Sequence, residues 1–295
     1  MKKIVIAGGT GFIGKYISKQ FRSEGYEVII ISRQPEHTNW DDMDGMVSSL
    51  NNAEMLINLA GKSVNCRYNK RNKEEILYSR TRTTNLLGEA ILKCKVPPKL
   101  WVNSGTATIY RHAEDRPMTE TNGEIGKGFS VDVAQSWEKA FFTFDLPNTR
   151  QIVFRMAIVL GKEGGVMKPL VNLTKTGLGG KQGKGTQKFS WIHLEDLYSA
   201  IKFVKEHTNL SGVFNLSSPN PVTNEALMST LRKTLHISIG LPASEWLLKI
   251  GAVLIGTETE LILKSRWVIP ENLINGGFKF IYPDLEPAIV QILNK

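Results

Sequence analysis

A doubly wound α/β fold on a parallel sheet, with a smaller C-terminal substrate subdomain, is what this sequence predicts, and three observations carry that prediction. Short β-branched runs at residues 4–7, 28–31, 55–59, 100–103 and 151–155 are separated by segments with apolar residues at helical spacing. The runs are apolar almost throughout rather than alternating, as strands covered on both faces are. A glycine-rich turn, Gly8 to Gly14, stands between the first run and the first helical stretch.

Ile4-Val5-Ile6-Ala7 is a strand, closed by Gly8-Gly9-Thr10-Gly11, and residues 12–21 form a helix. Gly25 then precedes the second strand, Val28-Ile29-Ile30-Ile31, which completes a βαβ unit. Right-handed crossovers of this kind put the strand C-termini on one edge of the sheet, where ligands bind. Further helices are expected near 74–93 and 134–144. After Gly161 the composition changes: a glycine-rich loop at 177–185 is followed by strand-like 189–192, a helix from about Glu195, and strand-like 213–216. From Pro219 onward, prolines and short helical pieces mark a smaller subdomain. The expected division is 1–218, with a loop excursion near 162–188 facing the substrate cleft, and 219–295.

The 295 residues are 41% hydrophobic and 22% charged, which excludes disorder, collagen-like repeats and coiled coil. The longest apolar-looking stretch, 241–255, is interrupted by Glu245 and Lys249 and falls short of the roughly 18 clean residues of a membrane span. Cys66 and Cys94 make no disulfide framework and have no nearby ligands at metal-binding spacing, so a reducing cytoplasm and no metal are expected. Thirty-seven basic against 28 acidic residues give a net charge of +9, with a cluster at Arg67, Lys70, Arg71, Lys73, Arg80 and Arg82. That excess favours an anionic partner. Without aromatic interleaving or a nucleic-acid motif, a phosphate-bearing small molecule fits better than nucleic acid or membrane, and a solvated helix face is the plainer alternative.

Gly8-Gly9-Thr10-Gly11-Phe12-Ile13-Gly14 reads as G-x-G-x-x-G from Gly9. Its glycines allow a tight turn and close approach of a pyrophosphate, while the helix N-terminus faces negative charge. The motif alone is common; between a first strand and a helix it points to a dinucleotide. The end of the second strand selects the cofactor, because a carboxylate there binds a ribose 2′-OH and repels a 2′-phosphate. This chain has Ser32-Arg33 instead, a hydroxyl beside a planar guanidinium, which favours NADP over NAD.

The whole length resembles the extended short-chain dehydrogenase/reductases, a Rossmann-fold group that includes nucleotide-sugar epimerases. Within it the chain is similar to the epimerase-like family that carries its own C-terminal domain of unknown function. Asn58-Leu59-Ala60-Gly61, Ser79-Arg80, Trp137-Glu138, Arg155, the glycines at 177–180, Trp191-Ile192-His193, Asp196 and residues 220–224 carry this likeness. The resemblance implies that Leu59, Ala60 and Gly61 line the cofactor cleft, that Glu75 and Arg80 reach it from the long helix, and that Val159 does so from a later strand. Arg80 could instead pair with Glu75 or Glu89 on the helix face.

Catalysis is where the chain departs from that group, whose members use a Tyr-x-x-x-Lys pair to exchange a proton with the substrate oxygen. Aligning on Glu138 puts Ser130 and Ala134 in those positions. Thr106 falls where a hydroxyl residue orients the substrate carbonyl, and Tyr110, nearby, is the expected substitute acid, with His112, Lys127 and Asp132 as other candidates. Tyr198 and Lys202 form a literal Tyr-x-x-x-Lys on a different helix, read as coincidence. Arg155, Gln187, Trp191 and His193 form either a polar pocket floor or a junction between subdomains. The expected activity is oxidoreductase or epimerase-like chemistry on a small, anionic carbonyl or hydroxyl substrate. The alternative is a catalytically silent NADP(H) sensor.

Overall fold

The structure, a computed structural model, describes residues 2–248, 258 and 260–294. Residues 249–257, part of the apolar stretch considered above, lie outside the described residues. Six strands, β1 (Lys3–Ala7), β2 (Glu27–Ile31), β3 (Met55–Asn58), β4 (Leu100–Thr106), β5 (Arg150–Met156) and β9 (Gly212–Leu216), form one sheet in the order β2-β1-β3-β4-β5-β9. Every neighbouring pair is parallel, and Ile6 lies opposite both Ile30 and Ile57.

Alternation along β1 shows why its strand is apolar throughout. Ile4 and Ile6 point to one face, where Ile17 and Phe21 of α1 (Phe12–Ser23) and Leu197 and Ile201 of α6 (Leu194–Glu206) cover them. Val5 and Ala7 point to the other, against Met46 and Leu50 of α2 (Met43–Leu50), Leu87 and Ile91 of α3 (Lys70–Lys93), and Phe141 of α4 (Phe129–Phe142). Each large aliphatic side chain buried this way contributes roughly 1.5–3 kcal/mol. Two apolar layers around one sheet are the doubly wound arrangement that the runs predicted.

Two helix starts are set by side-chain caps rather than by apolar periodicity. Asn69 Oδ1 accepts from the Asn72 amide at 2.9 Å, so α3 begins at Lys70, ahead of the expected 74. Asp42 does the same for α2, a helix that the sequence reading passed over.

Beyond the main sheet, β6 (Ile158–Leu160) pairs in parallel with β8 (Trp191–His193), and β7 (Lys188–Phe189) pairs antiparallel with β10 (Val222–Thr223). The helix Leu285–Asn294 packs on α7 (Asn224–Thr234) through Ile289 and Leu231, with Met167 of α5 (Met167–Leu173) in the same apolar cluster. Two carboxylates, one half-buried and one buried, stitch late segments to early ones. Glu120 accepts from the amides of Asn215, Glu271 and Asn272 at 2.7, 3.0 and 3.3 Å. Asp196 accepts from those of Ile281 and Tyr282 at 2.6 and 2.9 Å.

The quartet read from sequence as a pocket floor or a junction sits in packing and joints. Arg155 pairs with Glu138, Trp191 is wholly buried, and His193 caps α6 while meeting Gln291 at 3.0 Å. Gln187 donates to the Gln182 carbonyl. None of the four lines the cavities described next. Among the described residues no helix is long and apolar enough to cross a membrane.

Candidate functional site

Two joined cavities open beyond the C-terminal ends of β1, β3 and β4, sharing Gly8, Gly11, Leu59, Ala60, Gly61 and Ser63. The larger, 830 Å³, runs to the end of β2 past Thr10, Ser32 and Arg33, with Glu75 on its rim. The smaller, 510 Å³, runs toward α4 and is bounded by Phe12, Ile13, Gly14, Arg80, Thr106 and Val159. All fourteen residues expected to hold a cofactor therefore border these two joined cavities.

The turn at the junction is glycine for different reasons at different positions. Gly8 has φ of 77°, and a Cβ there would come within 2.8 Å of the Ala60 nitrogen. At Gly14 a Cβ would lie 2.6 Å from Gly9 Cα, since α1 packs directly on the loop. Gly11 is different, with nothing nearer than Gly8 O at 3.7 Å, so the space beside it belongs to the cleft. As the N-terminal cap of α1, Gly11 supplies no side-chain acceptor, which leaves the first helical amides available to an anion.

At the end of β2 the Ser32 hydroxyl is turned inward, meeting His37 Nδ1 and the Gln34 amide, each at 3.0 Å, while Arg33 is exposed at the mouth of the larger cavity. Glu75 pairs with Lys62 and, at 2.8 Å, with Arg71; these two cations hold its carboxyl below the usual range. Arg80 pairs with neither Glu75 nor Glu89. Its Nη1 donates to the Ile76 carbonyl at 3.0 Å, its guanidinium lies 5.1 Å over the Trp137 ring, and it closes against Gly61. Burial pushes its pKa down to about 10, and no carboxylate pairs with it among the described residues. A cation so placed favours an anion in the cleft. Much of the remaining basic stretch is neutralised locally, Arg67 by Glu258 and Arg82 by Asp41.

Thr106 lines the smaller cavity beside Ser104, Thr108 and Ser130. Tyr110 does not. It is 2% exposed, its hydroxyl donates to Asn215 Oδ1 and accepts from Arg155 Nη1, both at 2.9 Å, and burial pushes the phenol up. The short helix at 107–109 carries the chain past Thr108 and away from the cleft, so Tyr110 becomes a buried strut and the expectation of a catalytic acid there is corrected. His112 accepts from the Ser265 amide, and Lys127 and Asp132 are exposed. None of these three lines the cleft. Tyr198 packs among Phe21 and Tyr16, with ring centroids at 5.0 and 6.4 Å, and is part of the core. A residue that sequence reading missed, Tyr68, lines the smaller cavity with its ring edge-on to Phe129 at 5.1 Å. Its only sequence signal was its place between Arg67 and Lys70, in a basic cluster read as having no interleaved aromatics.

A glycine turn, a cleft across parallel strand ends and a guanidinium at the end of β2 define a nucleotide-binding α/β protein. Comparison with known proteins narrows this. Residues 4–130 match the NAD dependent epimerase/dehydratase family, and residues 243–292 match a domain of unknown function, DUF1731. The chain is 31% identical to the epimerase family protein YfhF of Bacillus subtilis, over 98% of this chain and 97% of that one. It is 31% identical to the epimerase family protein SDR39U1 of Homo sapiens, over 99% of each. A crystal structure of human SDR39U1 (isoform 2) with NADPH superposes with a TM-score of 0.90 at 30% identity, covering 99% of both chains. A nucleoside-diphosphate sugar epimerase from Corynebacterium glutamicum gives 0.80 at 28% identity, covering 99% of this chain and 58% of that one. The chain belongs to the epimerase family of the extended short-chain dehydrogenase/reductases.

Proposed function

We propose that this protein is an NADP(H)-dependent oxidoreductase or epimerase-like enzyme acting on a small carbonyl or hydroxyl substrate. The observation that carries the reading is the single cleft that joins Arg33 at one end to Thr106 at the other across the glycine turn. A dinucleotide laid along it puts its 2′-phosphate at Arg33 and its pyrophosphate against Gly8 and Gly11, with Arg80 close to the negative charge. Its nicotinamide half then falls in the smaller cavity. The fit is supported by the open space beside Gly11 and by the human relative solved with NADPH. Residues 1–218 are assigned to the cofactor and 219–295 to the substrate side. In support, Glu260 and Arg266 reach Ser130 and Thr108 at the cavity's edge.

When bound, the reduced cofactor supplies a hydride to the substrate carbon. The chain's part is to orient the carbonyl, with Thr106 as the nearest hydroxyl on the strand end, and to exclude water with Trp137, Phe129 and Met156. Arg80 makes an anionic substrate group favourable. A silent NADP(H) sensor is the second reading, favoured by Ser130 and Ala134 standing at the positions of the usual tyrosine and lysine.

The purified protein is expected to bind NADPH at least roughly ten-fold more tightly than NADH, from a charge-assisted contact worth on the order of 1.5–3 kcal/mol. Arg33→Ala should erase most of that difference and leave NADH binding nearly unchanged, by fluorescence titration. Equal affinities in the unmutated protein would sink the assignment. Gly11→Ala should lose the cofactor while its circular dichroism stays native, because the added methyl meets cleft space rather than protein. Retained binding there would place the pyrophosphate elsewhere.

A further inference from the structure

We propose that Tyr68, brought in from the loop ahead of α3, supplies the proton that the helix α4 position cannot. The proposal rests on the dinucleotide reading above and adds the acid that it lacks. Three placements support it. Tyr68 lines the smaller cavity together with Thr106, at the end away from Arg33. Ser130, the residue standing at the usual tyrosine position, lines the same cavity, so a phenol reaches the same region from a different element. Its ring is held edge-on by Phe129, and its backbone amide is held by Glu258 Oε1 at 2.8 Å, which limits the loop's freedom to carry the phenol away.

The groups facing the phenol decide its resting state. Glu258 and Glu260 face it from the C-terminal segment and Cys66 from its own loop, while Arg80 from α3 and Arg266 from beyond Glu260 lie close enough for their charges to act on it. Burial and the carboxylates outweigh the rest and raise the phenol above its ordinary value, so the free protein holds it protonated, the form a donor needs. In reduction, the carbonyl carbon gains the hydride, the carbonyl π pair moves to oxygen, and that oxygen takes the Tyr68 proton. The phenolate left behind recovers a proton from solvent water entering the cavity, so the hydride and proton delivered to the carbonyl are balanced by one proton taken up from the medium. In oxidation the same proton runs outward.

The test reads the phenol directly and needs no substrate. Protein carrying tyrosine labelled with carbon-13 at Cζ shows seven tyrosines, and Tyr68→Phe assigns the resonance that disappears. The cation of bound NADP⁺ beside the ring should lower the Tyr68 titration midpoint by about one pH unit or more relative to the free protein, with the other six tyrosines unmoved. An unchanged midpoint in a complex that titration shows to be formed overturns the proposal while leaving the cofactor reading intact. Failure of NADP⁺ and NADPH to bind at all overturns both. Across a carbonyl panel, Tyr68→Phe should lower kcat by roughly 10²- to 10⁴-fold with NADPH affinity unchanged, and Tyr198→Phe should not. Undiminished turnover in Tyr68→Phe likewise overturns it.

Discussion

Replacing Arg155 by Met is expected to destabilise the protein by about 3–5 kcal/mol, the cost of stranding a buried carboxylate. Arg155 Nε and Nη2 each reach Glu138 at 2.8 Å, a two-pronged pair whose side chains are both 12% exposed. The third nitrogen donates to Tyr110, whose hydroxyl donates to Asn215, whose amide in turn donates to the Ile269 carbonyl. One substitution therefore breaks a chain that runs from α4 through β5 and β9 to the C-terminal segment. Urea unfolding should show a much lower midpoint with an unchanged slope. Joint replacement by apolar residues, Arg155→Met with Glu138→Leu, should recover much of the loss, because no charge is then left unpaired. A midpoint within error of the unmutated protein for Arg155→Met would show that the pair contributes little.

Gly14→Ala should cost about 1–3 kcal/mol, because the new methyl would sit 2.6 Å from Gly9 Cα and 2.8 Å from Gly8 O, and backbone on both sides must move. Gly11→Ala, three residues away, should leave the unfolding midpoint almost where it was. Thermal unfolding of the two variants side by side separates a glycine required by helix packing from one required by the ligand. Equal midpoints would mean that α1 does not press on the loop as closely as the geometry says.

Strands and the cofactor cleft were legible because both are written locally. A run such as Ile4-Val5-Ile6-Ala7 is buried on both faces wherever it sits in such a sheet, and the turn after it carries its own steric requirements in consecutive glycines. Ser32 and Arg33 could be read for the same reason, although Ser32 turned out to spend its hydroxyl on His37 and Gln34. What was not legible depends on distant partners. Nothing near Tyr110 in sequence tells that Arg155 and Asn215 claim its hydroxyl, and nothing near Tyr68 tells that Phe129 and Ser130, some sixty residues on, receive it. Helix α2 escaped because its start is fixed by the Asp42 cap and its apolar face is short. The pairing of β6 with β8 was hidden by the loop between them.

The two carboxylates that gather amides from late segments have a consequence for how the chain is made. Glu120 and Asp196 are translated well before the residues they bind at 271–272 and 281–282. On a growing chain, both acids emerge before these amides exist; Glu120 can meet the Asn215 amide first, and water satisfies what is left until residues 271–282 are made. Contacts of such long sequence separation close slowly, since the loop entropy is lost before any bond repays it. The nucleotide-facing sheet can therefore assemble before residues 271–282 dock on it, and that docking is expected as a late step of folding.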